Sequence, residues 1–170
     1  MISQELSNLL NRHRQSGVAI DSNLLLLLWI GSFDRSLITR FKRTQKYTEA
    51  DFDLLVTILA RVKVIVTTPH VLTEVNNLAG QLPQDMAEEF RSEMRMAVEP
   101  LNERNFPVKL AVAEKHFTTL GLTDCTLTLL AQQKILVITD DLPLYAKLNS
   151  DAMPVINFTH IRSSAYNWKA

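Results

Sequence analysis

Val18-Ala19-Ile20-Asp21-Ser22-Asn23-Leu24-Leu25-Leu26-Leu27-Leu28-Trp29-Ile30 is the stretch on which the fold turns. Val18 to Ile20 reads as a short apolar strand that runs into a carboxylate. The leucine run after it reads as a buried helix, so the whole is a strand-to-helix unit. The apolar run is too short for a spanning helix, which needs about 20 apolar residues. Asp21 and Asn23 interrupt it, and it lacks the directly preceding basic residues and small-residue cleavage site of a secretory signal. The leucines are therefore expected to be core or a dimer surface, with no membrane association.

Upstream, Leu6, Leu9 and Leu10 lie at helical spacing within residues 2–14, and Gly17 is a stop signal. Downstream, Thr48 followed by Glu49 and Asp51 predicts a capped helix carrying Phe52, Leu55, Val56 and Leu59. Val62 to Val66 predicts a second strand, and Pro69 opens a helix that includes Val71 to Val75. Pro83 opens an amphipathic helix through Val98, which Pro100 ends, and Val108 to Phe117 predicts one more. Thr123 is expected to cap a helix from Asp124 to Gln132. Ile135 to Thr139 predicts a strand followed by Asp140-Asp141, then a helix around Tyr145 to Leu148 and a last strand from Val155 to Phe158.

Repeated alternation of strand and helix implies a mostly parallel sheet covered on both faces. With 170 residues, 46% of them apolar, the chain can bury one substantial core. No internal repeat or flexible linker divides it. A single α/β domain is expected over 1–170, with an N-terminal helical extension at 1–17, a core at 18–158 and a C-terminal tail at 159–170. Eighteen basic residues balance eighteen acidic ones, so no global field attracts a polyanion and any nucleic-acid contact must be local. Cys125 has no partner for an intramolecular disulfide, which fits a reducing compartment, with the cytoplasm the default expectation.

In an open parallel sheet, ligands bind outside the carboxyl ends of the strands. Asp21 ends the first strand, Asp141 lies just past the strand ending at Thr139, Glu74 sits in the opening turns of the helix after the second strand, and Asp124 stands at a helix start. All four are expected on one edge. Carboxylates gathered there repel by roughly 1 kcal/mol per pair at ~4 Å in water and about 4 kcal/mol at an effective dielectric near 20. A hard cation such as Mg²⁺ or Mn²⁺ offsets that repulsion and retains waters for a phosphate substrate.

Four segments, Val18-Ala19-Ile20-Asp21-Ser22-Asn23, Leu72-Thr73-Glu74-Val75, Leu122-Thr123-Asp124-Cys125 and Leu136-Val137-Ile138-Thr139-Asp140-Asp141, resemble in order the acidic signatures of PIN domains. The resemblance covers about residues 18–158. It implies a three-layer α/β/α sandwich around a four- or five-stranded mostly parallel sheet, and a divalent-metal-dependent endoribonuclease using Mg²⁺ or Mn²⁺. Asp21, Glu74, Asp124 and Asp141 would then be both the catalytic and the metal-binding acids. The family's Thr-x-Asp pattern selects Asp141 over Asp140, leaving Asp140 either to assist or to face solvent. Asn23 matches an Asp-x-Asn pattern, and Thr139 supplies a hydroxyl beside the metal. The implied chemistry is in-line attack on phosphorus by a water that the ion has made more acidic. Toxin members of the family are restrained by an antitoxin protein, but the N-terminal helix and the long interval between Asp21 and Glu74 depart from their compact pattern.

Blander readings stand beside these. Each acid alone could be a helix cap or first-turn residue. Arg35, Arg40, Lys42, Arg43 and Lys46, interleaved with Phe33, Phe41 and Tyr47, could grip an RNA backbone or form a solvated face. Among these, Arg40, Lys42 and Arg43 are carried forward as substrate-binding candidates with Asn23 and Thr139. His13, His70, His116 and His160 lack zinc-like spacing, and Cys125 reads as inert packing. No glycine-rich dinucleotide or phosphate loop occurs. A catalytically silent PIN-like interaction module and a metal-dependent DNase or phosphoesterase are the alternative functions.

Overall fold

A computed structural model describes residues 3–167, with side chains described over 3–164. Residues 1–2 and 168–170, the outermost parts of the expected N-terminal extension and C-terminal tail, lie outside the described residues. Five strands form one sheet: β1 (Val18–Ile20), β2 (Ile65–Thr67), β3 (Asn102–Glu103), β4 (Leu136–Thr139) and β5 (Val155–Asn157). Their spatial order is β3-β2-β1-β4-β5 and every neighbouring pair is parallel. Helices flank this sheet, giving the expected three-layer α/β/α sandwich. All residues of β1 and β4 are buried, the pattern of strands covered on both faces.

The helices are α1 (Gln4–Arg12), α2 (Ser22–Phe33), α3 (Leu37–Arg40), α4 (Glu49–Leu59), α5 (Pro69–Ala79), α6 (Gln84–Val98), α7 (Val108–Val112), α8 (Phe117–Gln132), α9 (Leu142–Ser150) and α10 (Phe158–Asn167). The leucine run is core: Leu24 to Leu27, Trp29 and Ile30 are all buried in α2. Burial around most of its circumference explains why α2 shows no polar stripe. α4 has the expected Thr48 cap, completed into a capping box by the Asp51 carboxylate.

Several boundaries differ from the sequence expectation. The second strand runs from Ile65 to Thr67 rather than Val62 to Val66, because Val62 still belongs to the turn that leaves α4. Val108 to Phe117 is not one helix: α7 stops at Val112 and α8 begins at Phe117. Thr123 does not cap the helix bearing Asp124. The break falls at Gly121, whose φ of 80° and ψ of −174° interrupt α8, a conformation glycine reaches without steric penalty. Asp124 therefore sits in the first turn after that break. β3 has no apolar signal because it is a two-residue edge strand with both residues exposed. The segment from Thr159 continues helically to Asn167 as part of α10.

The chain builds the sheet outward from β1 through β2 to β3, then returns to the other side of β1 for β4 and β5. The winding direction thus reverses between β1 and β4. At such a switch point the connections leave in opposite directions and open a crevice at the carboxyl edge. β1 and β4 are paired there in register, Ile20 beside Ile138, so the residues that follow them emerge side by side.

Candidate functional site

Asp21 leaves β1 into this crevice and is the N-cap of α2. Its Oδ1 accepts from the Leu24 backbone at 2.8 Å. Its Oδ2 accepts from the Thr139 hydroxyl and, at 2.9 Å, from the Asp140 backbone amide. The Asp141 amide in turn donates to the Thr139 hydroxyl at 2.9 Å. Thr139 thus couples the start of α9 to the Asp21 carboxyl group. Only 3% of Asp21 is exposed, and burial, followed by the neighbouring Asp140 charge, pushes its pKa upward despite the three donors.

Asp141 caps α9, its Oδ1 accepting from the Leu144 amide at 2.7 Å. Glu74 lies in the second turn of α5 and accepts from the Ser22 hydroxyl at 3.0 Å. Asp124 faces both. Burial first, then the charges of Asp141, Asp21 and Glu74, raise its pKa to about 7. The four predicted acids are therefore brought into one electrostatic cluster with Asp124 common to the others. No hydrogen bond reaches the Asp124 carboxyl group among the described residues, in contrast to the other three.

A hydroxyl chain fixes α5 against α8. The Val71 amide donates to Thr68 Oγ1, which lies 2.9 Å from Thr126 Oγ1, and the Thr126 hydroxyl donates to the Thr123 carbonyl at 2.7 Å. Because that last bond uses the Thr126 proton, Thr68 is the donor between the two hydroxyls. The helices carrying Glu74 and Asp124 are thereby joined two residues beyond Asp124.

Asp140 was left undecided by its sequence position, and the structure places it inward. Its side chain is only 6% exposed, and its Oδ2 accepts from both the Tyr47 hydroxyl and the Lys46 ammonium. Asn23 Nδ2 lies 3.4 Å from Asp140 Oδ1, so Asn23 turns toward this carboxylate. Tyr47 is itself buried, and burial, together with the charges of Asp140 and Asp21, holds its phenol in the protonated form. The Arg162 guanidinium from α10 stands 5.8 Å from the Tyr47 ring centroid and bonds to the Lys46 carbonyl at 3.3 Å. Lys46 and Tyr47 belong to the basic, aromatic-interleaved stretch of the sequence but were not carried forward as site residues, and Arg162 was not singled out at all. Nothing local marks their partner carboxylate, which is remote in the chain.

The remaining basic candidates stand apart from the acids. Arg40 and Lys42 are exposed and have no ion-pair partner among the described residues. Arg43 is bound to Gln81 at 2.8 Å, and Arg35 is held by Glu49 and Asp53. Cys125 is fully buried, and burial raises its thiol pKa to about 11, which keeps it inert.

The donor set fits a hard cation in chemistry, since every available atom is oxygen. It is not a closed cage: among the described residues, no three His, Cys, Asp or Glu side chains are disposed to hold a metal ion together. Mg²⁺ is bound through one or two carboxylates plus waters and substrate phosphate, so three protein ligands are not required. Asp124 and the oxygens of Asp141 and Glu74 not used in hydrogen bonds are the atoms with lone pairs to offer. No helix among the described residues is long and apolar enough to cross a membrane. In comparisons with known proteins, no family model, curated sequence or solved structure matches this chain.

Proposed function

We propose that this chain is a PIN-like, divalent-metal-dependent endoribonuclease that hydrolyses RNA phosphodiester bonds at the carboxyl edge of its sheet. The observation that carries the reading is the gathering of Asp21, Glu74 and Asp141 around a half-buried Asp124 at a topological switch point, where burial first and then the three charges raise the Asp124 pKa to about 7. Such an array is self-repelling, and a hard cation with a phosphate beside it offsets the repulsion.

Asp124 and Asp141 would hold the cation, with Glu74 beside them and Asp21 as the buried support that fixes the Thr139 hydroxyl and the Asp140 backbone amide. A bound Mg²⁺ or Mn²⁺ supplies Lewis acidity that lowers the pKa of water and stabilises charge on the phosphate. Lys46, tethered by Asp140 at the rim, meets the polyanionic strand. Arg40 and Lys42 extend that contact along the surface, and Thr139 and Asn23 act through Asp21 and Asp140. A cytoplasmic setting follows from the RNA substrate, and an antitoxin or a second copy of the chain are partners compatible with it.

One observation favours the catalytically silent alternative: both Asp21 oxygens already accept protein donors. Single-stranded RNA, single-stranded DNA and a chromogenic phosphate ester, each incubated with Mn²⁺ or with EDTA, separate the readings. Mn²⁺-dependent cleavage of RNA that Asp124→Asn abolishes supports the ribonuclease. Cleavage of DNA or of the ester alone selects a different phosphoesterase. A folded protein inert toward all three returns it to an interaction module.

A further inference from the structure

α5 has two faces with separate tasks. Val71, Val75 and Ala79 form its core stripe and are buried. His70, Thr73, Glu74 and Asn77 follow the i, i+3, i+4, i+7 spacing of one helical face, and together they line a pocket of about 370 Å³. Pro69 and Leu122 supply its apolar walls. Leu122 comes from the segment just after the Gly121 break, where a Cβ built on the glycine meets nothing within 4 Å. The break at Gly121 is therefore unpacked, and the two residues after it, Leu122 and Thr123, line the pocket with α5.

The chemistry of this lining is selective. Glu74 is the only charged side chain on it and belongs also to the acid cluster, so the pocket borders that cluster through Glu74. No lysine or arginine lines it, which disfavours a phosphate inside it. Thr73 and Asn77 are exposed and present a hydroxyl, an amide donor and an amide acceptor. His70 contributes its ring to the wall, while its Nδ1 is buried behind the pocket surface with no hydrogen-bond partner among the described residues. The complementary ligand is neutral, flat and apolar on its faces, with donors and acceptors on its edge. A nucleobase has these properties: asparagine pairs with donor–acceptor base edges, and histidine is among the side chains on which unstacked bases rest.

We infer that the pocket between α5 and the Gly121 break is a base-binding subsite for one nucleoside of the substrate, placed next to the acids that act on its phosphate. The nucleoside's role as part of an RNA substrate rests on the function proposed above, whereas its binding in the pocket does not. The pocket reads base identity through Asn77 and Thr73, which makes it a specificity element.

Binding is measured with adenosine, guanosine, cytidine and uridine at millimolar concentration in EDTA, by amide chemical shifts, with inorganic phosphate as the control. At least one nucleoside is expected to perturb residues 69–77 and 121–123 in a saturable way, and phosphate alone is not. Asn77→Leu is expected to weaken that binding roughly tenfold, the loss of one ligand hydrogen bond, with the melting temperature unchanged. The absence of any such perturbation, or equal affinity in Asn77→Leu and Thr73→Val, overturns the subsite. If the protein cuts RNA, Asn77→Leu must also change the base preference at the cut. An unchanged preference overturns the subsite and leaves the nuclease intact. Asn77-dependent nucleoside binding in a protein that cuts nothing supports the subsite and rejects the nuclease.

Discussion

Lys46 and Asp140, separated by 94 residues in the chain, form an ion pair in which the ammonium is half exposed and the carboxylate nearly buried. Asp140 stands beside Asp21, and its charge disfavours ionisation of Asp21 at the switch point between β1 and β4. Lys46 and the Tyr47 hydroxyl compensate Asp140 from the rim. Removing the cation by Lys46→Met leaves that carboxylate undercompensated, and a loss on the order of 1 kcal/mol is expected after allowance for the exposure of Lys46. In an Asp140→Asn background the same change should cost much less, because the charge it balanced is gone. Urea denaturation of the four proteins in this cycle checks the coupling. Equal costs in both backgrounds would show that the pair contributes nothing.

The hydroxyl relay from Val71 through Thr68 and Thr126 to Thr123 supports a second prediction. Thr126→Val keeps the shape of the side chain, yet strands the buried Thr68 hydroxyl without its acceptor and frees the Thr123 carbonyl. An unsatisfied buried hydroxyl costs about 1–3 kcal/mol, so a lower unfolding midpoint is expected. The Asp124 and Glu74 helices also lose their tie, so metal affinity should fall beyond the stability change. A midpoint within about 0.3 kcal/mol of the parent would show that packing alone joins α5 to α8.

The layered fold was legible because strands such as Leu136 to Thr139 are short unbroken apolar runs, and the helices between strands carry start signals such as the Thr48 cap and Pro69. The edge position of the four acids followed from β-α order, which is a property of topology and needs no side-chain detail. What was hidden is long-range. Nothing local to Lys46 or Tyr47 tells that they close over Asp140, and a doublet such as Asp140-Asp141 does not reveal which carboxylate turns inward. β3 was invisible because Asn102 and Glu103 pair with β2 by backbone alone at an exposed edge. The α8 break was misplaced at Thr123 because a capping residue is a strong local signal, while the left-handed Gly121 before it decides the geometry.

Gly31 makes a steric prediction about the buried leucine helix. A Cβ there would lie 2.4 Å from Phe52 Cδ2 and 2.6 Å from Phe52 Cε2, so α2 and α4 approach closely through a glycine. The Phe52 ring is also covered by the Arg35 guanidinium at 5.0 Å, which restricts its escape. Gly31→Ala is expected to destabilise by about 1–3 kcal/mol, as overpacking does, despite alanine's better helix propensity. Adding Phe52→Leu should recover part of the loss. A stabilised Gly31→Ala protein would mean that the ring moves aside freely.

The Asp124 carboxyl group sets the sign of a pH dependence. Its ordinary value near 3.9 applies to the unfolded chain, whereas burial and three acidic neighbours raise it to about 7 in the fold. Between these values the folded protein holds a proton that the unfolded chain has released. Stability from this group is therefore fully present below about pH 4 and is lost as pH rises through about 7. Asp21, raised by burial and by Asp140, acts in the same direction, while His13, lowered mainly by burial, acts in the opposite one. Both remain in Asp124→Asn, so the difference between that variant and the parent isolates Asp124. In EDTA the parent's melting temperature should fall more steeply than the variant's from pH 5 to pH 8. Mn²⁺ requires the ionised carboxylate, so its stabilising shift should grow over the same interval in the parent and be largely absent in the variant. Parallel curves for the two proteins in EDTA would remove Asp124 from the centre of the cluster.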